Sequence, residues 1–174
     1  MSVDNEKIVD YATLFRNDFG DIYLPAKCRF FLGTTAGLVG VAFIFGKPIA
    51  FTNLIPMDTV FLGKKNLFIP KKIWSQKENR FLTLREILHS EAIKYGKSEE
   101  YRKASLVPME NTQEEILDLA MEMNERLDGT WQTTAEDAKL QRKFRSILEK
   151  STYCYQFKGR IGASFLLKNK ELLS

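Results

Sequence analysis

The chain has 174 residues, a length that a single domain with a sizeable core accommodates. Hydrophobic residues make up 44% and charged residues 28%, the balance of a folded globular protein, which argues against a fully disordered chain, a collagen-like rod and a coiled-coil rod. The net charge is +4, and two cysteines, Cys28 and Cys154, are too few for a disulfide framework or a four-cysteine metal site.

In chain order, residues 8–11 are predicted as a short strand. A helix is predicted over 18–27, with Asp18 as its cap and Pro25 limiting how far it runs. Residues 28–32 read as a compact apolar strand. Gly33, Thr34 and Thr35 then open a helix that lasts to about Phe45. Its apolar residues Leu38, Val41, Ala42 and Phe45 recur at helical spacing, with Val39, Phe43 and Ile44 on the other side. A helix apolar all round is expected to be buried. Gly46 ends it and Pro48 bars its continuation. Residues 49–53 form the next strand, which completes a βαβ unit with parallel strands and a right-handed crossover. Residues 67–69 are a third strand, followed by Pro70 and two lysines.

From there the chain is predicted to be helical. Thr83 and Glu86 form a capping box, in which the hydroxyl accepts from a free amide and the carboxylate reaches back to the cap. Leu84, Ile87, Leu88 and Ala92 are its stripe. Thr112 and Glu115 form a second box, whose helix carries Ile116, Ala120, Met123 and Leu127 as a seam and stops at Gly129. A third helix opens at Thr133 and turns Leu140, Phe144, Ile147 and Leu148 inward. The tail 157–173 is apolar enough to dock and contains Gly159, Gly162 and a stretch from Ser164 to Leu167. The expected class is α/β, with a small parallel sheet in the N-terminal part and a helical C-terminal part.

The strongest local signal is the segment Gly33, Thr34, Thr35, Ala36 and Gly37. A strand ends, a glycine permits a tight turn, and hydroxyl residues begin a helix. Free amides at a helix start bind anions such as phosphate. In an open α/β sheet that position, the carboxyl end of a strand, is where ligands bind. Gly37 and Gly40 would let the helix pack closely on the sheet. The threonines serve equally as simple helix caps, and the glycine spacing is neither a dinucleotide fingerprint nor a P-loop. Asn53 ends the next strand, where it would bind a ligand hydroxyl or turn the chain before Pro56. Glu114 and Glu115 start the Thr112 helix. Either would accept from sugar hydroxyls if that helix start faces the site, and Glu115 is also explained by the capping box alone.

The lone histidine, His89, excludes a Ser-His-Asp triad and a histidine-rich zinc site within this chain. Cys28 and Cys154 read as packing residues. Charge is segregated. Residues 1–63 carry a net −1, 64–103 carry +6, 104–137 carry −8 and 138–174 carry +7. Such blocks either steer an anionic ligand or neutralise one another when packed. No nucleic-acid partner is expected, because the basic blocks lack a recognition motif. The longest apolar run, 38–45, is far below the ~18 residues of a membrane span. The polar start shows no signal-peptide pattern, so a cytoplasmic, reduced chain is expected.

The segments 21–24, 28–38, 45–48 and 53–56 resemble, in order, blocks of a family of bacterial glycosyltransferases associated with surface polysaccharide synthesis. Segments 67–71, 82–87 and 111–116 continue the series, and 165–169 echo it more weakly. That family resembles GT-B enzymes, which have two facing Rossmann-like domains. The resemblance implies that residues 1–174 are one Rossmann-like donor domain that holds a nucleotide-sugar, with the Gly33 to Gly37 turn meeting the diphosphate. It implies no metal or other cofactor. Position 36 is Ala where the family often has Ser, so one hydroxyl is lost beside that turn. Family members are about twice this long, so an N-terminal acceptor domain and its catalytic base would be missing. The alternative expectation is a non-catalytic binding or interaction module, which would expose the face that normally meets the missing half and would self-associate.

Overall fold

The computed structural model describes residues 5–57, 63–148 and 158–174. The chain begins with helix α1 (Tyr11–Leu14) where a strand was expected, because the Asp10 carboxylate accepts from the Thr13 amide and caps a turn there. Helix α2 (Asp18–Lys27) has the expected bounds, but its cap is Asn17, whose side chain accepts from the Gly20 amide at 2.8 Å. Pro25 sits inside this helix, and Cys28 forms its C-cap rather than starting the strand.

Strand β1 (Phe31–Gly33), helix α3 (Gly37–Ile44) and strand β2 (Ile49–Leu54) make the expected parallel βαβ unit. Strand β3 (Leu67–Pro70) pairs in parallel with β2, and strand β7 (Arg160–Ile161) with β3. The sheet order β1-β2-β3-β7 follows the chain without reversal, as in one half of a doubly wound sheet. All four strands therefore present their carboxyl ends at one edge.

A second sheet was not legible in the sequence. Strands β4 (Lys72–Ser75), β5 (Arg80–Phe81) and β6 (Leu106–Met109) pair antiparallel in the order β5-β4-β6. Helix α4 (Leu84–Leu88) keeps the full Thr83–Glu86 capping box but is one short turn, so Ala92 falls in the 3-10 turn that follows. Helix α5 (Ser98–Lys103) leads into β6.

Helix α6 (Gln113–Asp128) opens at the predicted Thr112 box and ends at Gly129, whose φ of 75° is the left-handed C-cap geometry that glycine adopts freely. Its buried side is Glu115, Leu119, Glu122 and Met123, so the expected seam is rotated toward two carboxylates. Helix α7 (Ala135–Ile147) is capped by Thr134 rather than Thr133 and buries Leu140, Phe144 and Ile147 as expected. The tail folds as β7 and helix α8 (Ala163–Lys168), followed by a 3-10 turn. Cys154 lies outside the described residues.

The core forms where α6 packs on β2 and β3, where α8 packs on α6 and α7, and where Phe144 of α7 reaches Phe68 of β3. Ile49, Leu54, Leu67, Phe68, Ile69, Phe144 and Ile161 are fully buried, and the Phe68 and Phe144 rings meet edge to face at 6.0 Å. Helix α3 departs from expectation. It packs on α2, β1 and β2, yet Ile44 is 79% exposed and Phe43 and Phe45 are also exposed. A Cβ placed on Gly37 or Gly40 would meet nothing within 4 Å, so neither glycine serves a close approach to the sheet. Among the described residues, no helix is long and apolar enough to cross a membrane.

Candidate functional site

The carboxyl edge of the parallel sheet gathers most of the residues singled out in the sequence. After β1, the chain passes through Thr34, Thr35 and Ala36 before α3 begins at Gly37. This loop is exposed throughout. The helix therefore starts later than expected, and neither threonine caps it. Ala36 occupies the N-cap position and supplies no side-chain hydrogen bond. The Gly37 and Leu38 amides make no hydrogen bond among the described residues. They are the orphan donors that every helix start leaves, here without the usual side-chain acceptor. The Thr35 hydroxyl donates to the Ile55 carbonyl at 3.3 Å, which ties the loop to the end of β2.

Asn53 lies within β2 in the left-handed region, with φ of 52°, where the β2–β3 register shifts. Its amide donates to Asn111 Oδ1 at 2.5 Å, and its own Oδ1 accepts from the Asn111 amide at 2.6 Å. Asn111 Nδ2 donates in turn to the Pro70 carbonyl at 3.0 Å, at the end of β3. This clasp fixes the start of α6 beside the ends of β2 and β3. The Asn53 side-chain oxygen is therefore occupied within the protein, which leaves its NH2 group for a ligand.

The two glutamates at the start of α6 differ sharply. Glu115 is 7% exposed; Oε2 accepts from the Thr112 amide and Oε1 pairs with Lys72 Nζ, each at 3.0 Å. Glu114 is exposed. Its own backbone amide, then the Thr112 hydroxyl, hold its carboxyl below the ordinary range. Glu114 is thus the carboxylate still open to a ligand.

Two lysines at this edge were passed over in the sequence except as a pair after Pro70. Lys71 follows β3 and pairs with Glu110. Lys72 starts β4, pairs with Glu115 and lies 5.9 Å from the centre of the Phe81 ring. Both place positive charge where the strands end.

A separate cavity of about 240 Å³ lies between α2, β1 and α3, lined by Tyr11, Leu24, Pro25, Cys28, Phe31 and Leu38. The Cys28 thiol donates to the Pro25 carbonyl, and burial pushes its pKa up against a smaller opposing pull from Lys47. That is an inert thiol, not an activated nucleophile. His89 caps α4, and its Nε2 lies 3.0 Å from the Ile147 carbonyl, so it braces the end of α7.

The fold and this edge define a mixed α/β protein whose parallel sheet carries, at the carboxyl end of β1, an exposed strand-to-helix loop with uncapped amides. No protein-family model, no curated protein and no solved structure matches the chain.

Proposed function

We propose that this chain is the donor-binding part of a glycosyltransferase, holding the diphosphate of a nucleotide-sugar at the start of α3. The single observation that carries the reading is the loop itself, exposed and opening onto a helix whose first amides have no internal acceptor. Hydrogen bonds from such amides to a charged oxygen are stronger than neutral ones, and the helix dipole favours the anion. A second observation adds support. The sequence blocks that resemble the glycosyltransferase family include the loop after β1, the end of β2, the end of β3 and the start of α6, all neighbours at one edge.

In this reading the donor diphosphate lies against the Gly37 and Leu38 amides, with the Thr34 and Thr35 hydroxyls beside it. Negative charge grows on the leaving nucleoside diphosphate as the sugar departs. Fixed donors aimed at that oxygen stabilise the transition state more than the ground state. Glu114 accepts from ribose or sugar hydroxyls. The acceptor and its general base are assigned in this reading to a second domain, and these residues to donor binding.

The alternative, an interaction module without catalysis, is favoured by the apolar residues exposed on α2 and α3. Calorimetric titration with uridine, guanosine and thymidine diphosphates and their sugars separates the two. Donor binding predicts a Kd below ~1 mM for at least one of them, equivalent to about −4 kcal/mol. No heat with any of them contradicts it.

A further inference from the structure

Beside the α3 amides, the carboxyl edge holds a side-chain cluster built around Leu54 and Pro70, which are register partners where β2 and β3 end. Asn53 precedes Leu54, Lys71 follows Pro70, and the Thr35 hydroxyl donates to the carbonyl of Ile55, the residue after Leu54. The orientation of the Asn53 side chain is fixed. Its Oδ1 accepts from the Asn111 amide, so its NH2 group is turned the other way. There it makes no hydrogen bond among the described residues and stays open to solvent.

The two lysines of this edge differ in what holds them. Lys72 Nζ lies between Glu115, which is buried, and Asn169, with the Phe81 ring nearby. Lys71 pairs with Glu110, whose side chain is 67% exposed. An ion pair with an exposed carboxylate contributes little, because water and salt compete for both charges. A phosphate carries more negative charge than one carboxylate and draws such a lysine away from it. Glu110 then turns to the solvent where most of it already lies. The Thr35 hydrogen bond ties the α3 loop to the end of β2. Strand β3 is one strand spacing of ~4.8 Å further on, a gap that the flexible four-carbon lysine stem spans.

We propose that Lys71 and the Asn53 NH2 group hold the second phosphate of the diphosphate, and that Glu110 occupies Lys71 until the ligand arrives. This rests on the reading of the α3 loop as the seat of the first phosphate. Titration of the isotope-labelled intact chain with inorganic pyrophosphate, followed by amide resonances, tests it without a choice of base. The Asn53 side-chain NH2 resonances are expected to move together with the Gly37 and Leu38 amides. Lys71→Met keeps the stem and is expected to weaken binding about tenfold or more, the loss of one charge-assisted contact. Glu110→Gln is expected to tighten binding about threefold, since it removes the competing carboxylate. A purely structural ion pair gives no such gain. Glu110→Gln alters an exposed side chain, so it reports even where Lys71→Met fails to fold. Unchanged affinity in either variant, weaker binding in Glu110→Gln, or a silent Asn53 side chain overturns the proposal. If Gly37 and Leu38 still shift in that case, the donor-site reading stands; pyrophosphate that moves no resonance overturns both.

Discussion

Asn53 and Asn111 hold each other by a reciprocal pair of hydrogen bonds, each amide donating to the other's side-chain oxygen, at 2.5 and 2.6 Å. The two residues are 58 positions apart in the chain, and their pairing joins a strand end to a helix start. Asn111→Ala leaves the Asn53 amide and the Pro70 carbonyl without these partners. The expected loss is about 2–3 kcal/mol, since each unsatisfied buried group costs ~1–3 kcal/mol. At position 53 the backbone is left-handed. Asn53→Gly is therefore expected to cost less than Asn53→Ala, by roughly 1–2 kcal/mol of conformational penalty. Urea unfolding of the three variants measures both effects.

The glycines divide into those that something crowds and those that nothing does. A Cβ on Gly162 would come within 3.0 Å of Leu119 and 3.1 Å of Ile69, both fully buried. Gly162→Ala is expected to destabilise by about 1–3 kcal/mol, the usual cost of overpacking a core. Gly40 lies inside α3 with open space around it. Gly40→Ala is expected to stabilise by about 0.5–1 kcal/mol through helix propensity alone. Thermal unfolding of the pair gives opposite signs.

Much of this was legible in local chemistry. The capping boxes at Thr83 and Thr112, the glycine stop at Gly129 and the βαβ unit all follow from short-range rules that the fold obeys. The β4-β5-β6 sheet was hidden because its strands are two to four residues long and its central strand pairs on one side with β6, which is distant in sequence. Helix α3 was misjudged because an apolar composition cannot say how many sides a layer covers. Gly33 to Gly37 and Asn53 were singled out from glycine and turn chemistry, and the fold places both at the carboxyl edge of the parallel sheet. The Asn111 clasp and the lysine neutralising Glu115 depend on tertiary contacts that no spacing encodes.

Stability is expected to respond to acid in two opposing ways. The Glu86 carboxyl is lowered to about 2, first by Arg80, then by Thr83, against a burial penalty. Its contribution is complete above the ordinary value of 4.5 and is lost as pH falls through about 2. Glu122 behaves in reverse. Burial raises its carboxyl, although the Ala163 amide and Arg126 pull it back. Folded protein holds that proton more tightly than unfolded chain, so this contribution is present below 4.5 and is lost as pH rises through the raised value. Unfolding across pH should show Glu86→Gln losing the acid-side slope and Glu122→Gln losing the slope above 4.5.

The central claim is that the amides at the start of α3 receive a diphosphate, and backbone amide shifts report on it residue by residue. Titration of isotope-labelled chain with a nucleoside diphosphate is expected to move the Gly37 and Leu38 resonances first, with Thr34 and Thr35 close behind. Gly37→Pro removes one of those donors while keeping a residue that the first helical position tolerates, and Ala36 already has the extended backbone that precedes proline. That variant is expected to bind about ten- to a hundredfold more weakly, the loss of one charge-assisted hydrogen bond of ~1.5–3 kcal/mol. Shifts confined to other parts of the chain, or unchanged affinity in Gly37→Pro, would contradict the account.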